Sequence, residues 1–191
     1  MSELIKRQKQ ARLLRMVRKI HRSCGAALFI FFFFISISGL LLGWKKNSGE
    51  LIMAKTAMGS STDLSKWQSM DSLHRKACNF LKDSVNSKLS AEIDRIDVRK
   101  EKGIVKFIFK NHFTALQLDA KSAMVLQIEQ RRSDYIEKIH DGSIIDFYLG
   151  SKDVFKLFYT TIMGLALLTF TITGFWLWYG PKRMRKAIRD K

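Results

Sequence analysis

Two long apolar runs dominate the hydrophobic pattern. Residues 24–44 hold 21 consecutive uncharged positions and residues 157–179 hold 23. A hydrocarbon layer about 30 Å thick is crossed by roughly 20 helical residues, so each run predicts one membrane-spanning helix. Between the runs the period changes. Trp67, Met70, Leu73, Ala77, Phe80 and Leu81 recur at helical spacing, predicting a helix over 64–85 with Asp63 as its N-cap. Four short strands follow: 92–99; 104–110, where Val105, Phe107 and Phe109 alternate; 113–119, with Leu116 and Leu118; and 123–129, with Met124, Leu126 and Ile128. Asn111-His112 predicts a two-residue hairpin turn. One helix on a four-stranded antiparallel meander suffices for a small core. Residues 131–147 return to a helical pattern interrupted by Gly142 and Gly150, whose apolar face (Ile136, Ile139, Ile144 and Phe147 among it) is expected to lie along the membrane surface. A Ser-, Thr- and Gly-rich stretch before Asp63 reads as a linker, and Gly180-Pro181 as the end of the second span.

Charge orients this pattern. Residues 1–22 carry eight Lys/Arg against Glu3, and residues 180–191 carry six against Asp190, so the tails hold +12 of the net +17. Basic residues flanking spans mark the cytoplasmic side. The expected order is therefore a basic cytoplasmic segment at 1–22, a first span at 23–44, an extracytoplasmic domain at 45–153 that includes the amphipathic helix, a second span at 154–180 and a basic cytoplasmic tail at 181–191. The N-terminal segment also suits a helix lying on or emerging from an anionic leaflet. No nucleic-acid recognition motif accompanies the basicity, so no nucleic-acid partner is expected. The first apolar run exceeds a secretory signal core and is followed by no clean cleavage site, which reads as an uncleaved signal anchor.

Each span has small polar residues late in its sequence: Ser36-Ile37-Ser38-Gly39 and Thr171-Ile172-Thr173-Gly174. Glycine lets helix backbones approach, and Ser/Thr hydroxyls bond across or back to their own helix. Gly25, Ser36, Gly39, Gly164, Thr171 and Gly174 are the expected helix-packing positions. Cys24 and Cys78 fall on opposite sides of the bilayer in this topology and cannot pair; Cys78 reads as a small buried apolar residue of its helix. No C-x-x-C, H-E-x-x-H, G-x-S-x-G or glycine-rich phosphate loop is present. His74 and His112 read as solvated surface residues.

Several segments resemble the PepSY-associated transmembrane family. Arg18-Lys19-Ile20-His21-Arg22-Ser23-Cys24-Gly25 resembles its R-x-x-H-x-x-x-G pattern, Ser38-Gly39 the Thr-Gly that ends its first span, and Ile139-His140-Asp141-Gly142 its Leu-His-Thr-Gly, with Asp141 in place of the hydroxyl residue. Thr173-Gly174-Phe175-Trp176-Leu177-Trp178 resembles its closing motif, and residues 118–126 resemble the strand–turn–strand ending of a PepSY domain. The resemblance implies an α+β membrane protein: two antiparallel transmembrane helices flanking an extracytoplasmic helix-plus-antiparallel-sheet PepSY-like domain, in the bacterial inner membrane with both termini cytoplasmic. Larger family members look like reductases that use heme to release iron from siderophores. Isolated PepSY domains look like regulatory modules associated with peptidases.

His21 and His140 precede the two spans and are the candidate heme ligands, since a b-type heme takes imidazole axial ligands and a histidine at a membrane needs a partner. One chain offers one histidine per leaflet. A two-fold homodimer would bring like histidines together in a four-helix bundle, giving bis-histidine sites. The other reading is that both rings only hold helix ends in place. Two functions stay open here: a heme-binding redox component linked to iron assimilation, or a non-enzymatic module that binds an extracytoplasmic partner such as a peptidase or transporter subunit.

Overall fold

A computed structural model describes residues 2–189. The chain divides into two units, one formed by residues 1–37 with 140–191 and the other by residues 38–139. Asp190 and Lys191 of the basic tail lie outside the described residues.

The first unit is an antiparallel helix pair. Helix α1 spans Ser2–Gly43 and helix α5 spans Val154–Arg189. Their pairing follows the 3.6-residue period. On α1, Leu14, Val17, His21, Gly25, Leu28, Phe32 and Ile35 are half-buried. On α5, Tyr159, Met163, Ala166, Phe170, Thr173, Leu177 and Gly180 face inward. Phe170 meets Phe32 edge-to-face at 5.3 Å, and the Gly25 backbone passes 3.2 Å, at its absent Cβ, from the Phe170 ring. Leu14 would come within 2.6 Å of a Cβ at Gly180. Ascending positions on α1 thus meet descending positions on α5. Only 6 % of the most apolar stretch of each helix is buried within the protein. The helices are too exposed to be the core of a water-soluble domain and are suited to lipid.

The basic entry runs into the first span as one helix, and the end of the second helix differs from expectation. The basic segment and the first span are one unbroken helix of 42 residues, about 63 Å long, twice the hydrocarbon thickness. The second helix does not stop at Gly180-Pro181 but continues through Pro181 to Arg189. Proline removes one backbone donor, and the helix continues past it; Gly180, just before it, packs closely on Leu14.

The helical stretch over 131–147 is interrupted at Gly142, as expected. Helix α3 spans Arg132–His140, Gly142 turns the chain at φ +78°, and helix α4 spans Ser143–Leu149. Gly142 has no room for a side chain, since a Cβ would lie 2.8 Å from the Tyr159 ring. The start of α5 is then tied back to this corner. Asp146, buried on α4, accepts hydrogen bonds from the Ser151 hydroxyl and from the N–H groups of Phe155 (3.1 Å) and Lys156 (2.8 Å). A side chain from the preceding helix therefore satisfies donors that every helix N-terminus leaves open.

The second unit is an α+β domain. Strands β1 (Ile93–Arg99), β2 (Ile104–Phe109), β3 (Thr114–Asp119) and β4 (Val125–Gln130) form the expected antiparallel meander in order β1-β2-β3-β4. The turn between β2 and β3 takes residues 110–113, longer than expected, with Asn111 at φ +64°. The helix starts later than the pattern suggested. Asp63 caps a short 3-10 turn at Leu64–Lys66, whereas Ser69 caps helix α2, Met70–Phe80. A wide turn, Leu81–Val85, extends α2. Leu73, Ala77 and Leu81 pack on Val105, Phe107, Phe109, Leu116 and Leu118, all but fully buried.

The segment read as a linker is part of this fold. It crosses the other face of the sheet as an extended strap held mainly through its backbone. Gln117 on β3 accepts from the Ala57 N–H (2.8 Å) and donates to the Lys55 carbonyl (3.3 Å). Asp119 accepts from the Ser60 N–H, and the Gly59 N–H donates to the Lys102 carbonyl at 2.7 Å. The Gly59 backbone lies so close to Gly103 that a Cβ there would meet its carbonyl oxygen. Beneath the strap runs a buried polar row. Gln117 donates to Glu129 (3.0 Å), which also takes Lys106 at 2.5 Å. Both faces of β3 are covered, so all six of its residues are buried.

Candidate functional site: the histidine between the membrane helices

His21 sits on the packed face of α1 because it falls seven residues after Leu14 and four before Gly25. Its Nδ1 lies 2.8 Å from Thr173 Oγ1 on α5. The Thr173 hydroxyl donates to the Thr169 carbonyl at 2.6 Å, so its single proton is committed to its own helix. In the tautomer that matches that bond, His21 Nδ1–H donates to the Thr173 hydroxyl oxygen and Nε2 keeps its lone pair. The Phe170 ring lies edge-on at 4.6 Å, and the absent Cβ of Gly174 would be 3.7 Å from His21 Cε1. The imidazole is held on three sides by Phe170, Thr173 and Gly174, with one ring nitrogen able to act as a ligand. A hydrogen-bonded, oriented imidazole of this kind is what metal coordination by histidine requires.

His140 ends α3 and is half-buried. The residues after it make the corner: Asp141 accepts from the Ser143 N–H (2.9 Å) and pairs with Lys156 (3.2 Å). Burial opposes ionisation of Asp141, but the Ser143 bonds and Lys156 outweigh it and hold the carboxyl below its ordinary value. Asp141 thus makes the turn a hydroxyl residue would make and adds an ion pair. His140 precedes α5, whereas His21 docks beside Thr173, roughly 28 Å along that helix from Val154. One chain does not bring the two histidines together.

The packing positions separate into two groups. Gly25 and Gly174 lie in the contact between α1 and α5, and Gly39 is half-buried on α1. Ser36, Gly164 and Thr171 face outward within one chain. Nothing approaches Gly164 within 4 Å, and the two hydroxyls bond back to the carbonyls of Phe32 and Leu167. Thr173, two residues and about 200° around the helix from Thr171, is the threonine that meets the other helix. Thr173 was legible only as part of the Thr171-Ile172-Thr173-Gly174 motif, and Phe170 carried no signal of its own in the sequence.

His74 and His112, expected as solvated surface residues, are half-buried, and each ring packs on a core phenylalanine. His74 stacks on Phe107 at 6.2 Å, and His112 stacks on Phe109 while its Nε2 lies 2.9 Å from the Ser90 carbonyl. Cys24 and Cys78 form no disulfide; Cys78 packs against the domain core, where burial pushes its thiol up. Among the described residues no group of three His, Cys, Asp or Glu side chains could hold a metal ion.

Two exposed apolar helices bracketing an α+β domain define a two-span membrane protein. A family model for the PepSY-associated TM region matches residues 2–181, and the chain belongs to this family. No curated protein and no solved structure matches the chain.

Proposed function

We propose that this protein is a heme-binding component of a bacterial inner membrane, with both termini cytoplasmic, the α+β domain extracytoplasmic and a role in electron transfer linked to iron assimilation. The observation that supports it most is the 2.8 Å contact of His21 Nδ1 with the Thr173 hydroxyl, which orients the imidazole through one nitrogen so that Nε2 could serve as a ligand. A bound heme b would supply a one-electron couple. This chain's residues hold and orient the imidazole. Two copies in a homodimer would contribute one His21 each on one side of the bilayer and one His140 each on the other. The test is the absorption spectrum of the purified full-length chain after heme-replete expression. A Soret band is expected, reduced by His21→Ala and by His140→Ala, and weakened by Thr173→Val, which frees the imidazole to rotate. A chain that stays colourless after added hemin refutes the proposal.

A second reading, a module that binds an extracytoplasmic partner such as a peptidase or transporter subunit, draws on one observation. Leu126 and Ile128 on β4, which pairs only with β3, are 38 % and 45 % exposed, and Met124 just before the strand is 66 % exposed. An apolar edge strand suits strand addition by a partner. Ile128→Lys would weaken such a complex without touching the heme spectrum.

A further inference from the structure

We propose that the basic end of the helix pair is a binding face for anionic phospholipid headgroups. Among the described residues, every ion pair lies between positions 50 and 156. Arg12, Arg15, Arg18, Lys19 and Arg22 have no carboxylate within ion-pairing distance among them, and Glu3 and Asp190 are the only acids in either terminal segment. This charge is balanced from outside the chain.

Its arrangement selects the source. At about 100° per residue these five cations share a sector of roughly 120° on α1, and all five are exposed. Beside them Leu13, Met16 and Ile20 form a second stripe, 40 %, 54 % and 42 % exposed. Because α1 runs unbroken into the span, Arg18, Lys19 and Arg22 stand within about 9 Å of Cys24, at headgroup depth, where each cation adds to attraction by an anionic leaflet. The other helix adds the same chemistry: Lys182 Nζ sits 3.7 Å over the Trp178 ring, an arrangement typical of a bilayer interface. A shallow cleft between the helices is walled by Leu13, Leu14, Trp176 and Met184, with Arg183 on its lining, and so offers an apolar floor beside a cation.

The test is native mass spectrometry of the full-length protein in detergent with equimolar phosphatidylglycerol and phosphatidylcholine, alongside thermal unfolding. The parent should retain phosphatidylglycerol preferentially and unfold at a higher temperature in its presence. Each surface cation contributes about fivefold to attraction by an anionic leaflet, so the combined change R12Q/R15Q/K19Q/R22Q should lower the retention ratio by roughly tenfold or more. An equal removal of charge from the α+β domain, K82Q/K88Q/K100Q/K121Q, should leave it unchanged. Equal retention of the two lipids by the parent, or equal effects of the two quadruple changes, overturns the proposal. Stabilisation by heparin as large as that by phosphatidylglycerol would assign the face to soluble polyanions and overturn it too.

Discussion

Replacing Gln117 by leucine tests whether the strap is part of the fold or only a tether. The side chain is 1 % exposed and makes three hydrogen bonds: from Ala57 N–H, to the Lys55 carbonyl and to Glu129. Leucine keeps most of the volume and removes all three. A net 0.5–1.5 kcal/mol per bond, more for the one to a charged acceptor, gives a loss of about 2–4 kcal/mol. Glu129 keeps Lys106, so the penalty does not include a buried unpaired charge. Denaturant unfolding of the full-length protein, followed by the α+β domain, measures the total. Hydrogen exchange locates it: the Ala57 amide should exchange roughly 30- to 1000-fold faster, the same energy expressed as a ratio. Amides of β2 and β3, held by the sheet and by α2, should change only as far as global stability falls. A loss under about 0.5 kcal/mol, the range of an ordinary surface change, with unaltered exchange at Ala57, would refute the role given to the strap.

Three further outcomes are expected. Gly180→Ala puts a methyl within 2.6 Å of Leu14 and should cost about 1–3 kcal/mol; adding Leu14→Ala should recover most of it in a double-mutant thermal-unfolding cycle. Gly142→Ala meets both a φ of +78° and the Tyr159 ring at 2.8 Å, whereas Gly150→Ala meets only φ +68° with open space, so the first should lower the melting temperature clearly more than the second. Burial opposes ionisation of Asp119, but bonds from Ser60, Lys121 and Ser122 hold its carboxyl below its ordinary 3.8, as the Ser143 and Lys156 contacts do for Asp141. A depressed folded-state value gives stability that is present above 3.8 and lost as pH falls through the folded value; unfolding scans should show this loss below about pH 4, with a shallower acid limb in Asp119→Asn.

The sequence by itself determined what depends on neighbours along the chain. Two runs of more than 20 uncharged residues leave little choice but to span a bilayer, because a helix satisfies its own backbone there. Alternation at Val105, Phe107 and Phe109 and turn residues at the right intervals fixed the meander, since strand period is a local property. His21 was visible for the same reason, as a polar ring beside an apolar run. Tertiary structure decided whatever depends on which faces meet. Alternation put Met124, Leu126 and Ile128 on one face of a strand but could not show the register shift that sets Val125 opposite Leu118 and packs it on the core. A segment without periodicity read as a linker, because its attachment is made by main-chain groups whose partners, Gln117 and Asp119, lie about 60 residues on. Local composition likewise could not distinguish Thr173 from Thr171; only the azimuth at which α5 meets α1 makes one a partner of His21 and leaves the other facing outward. Periodicity is written in the chain, whereas the pairing of faces is settled by the packing of elements far apart in it.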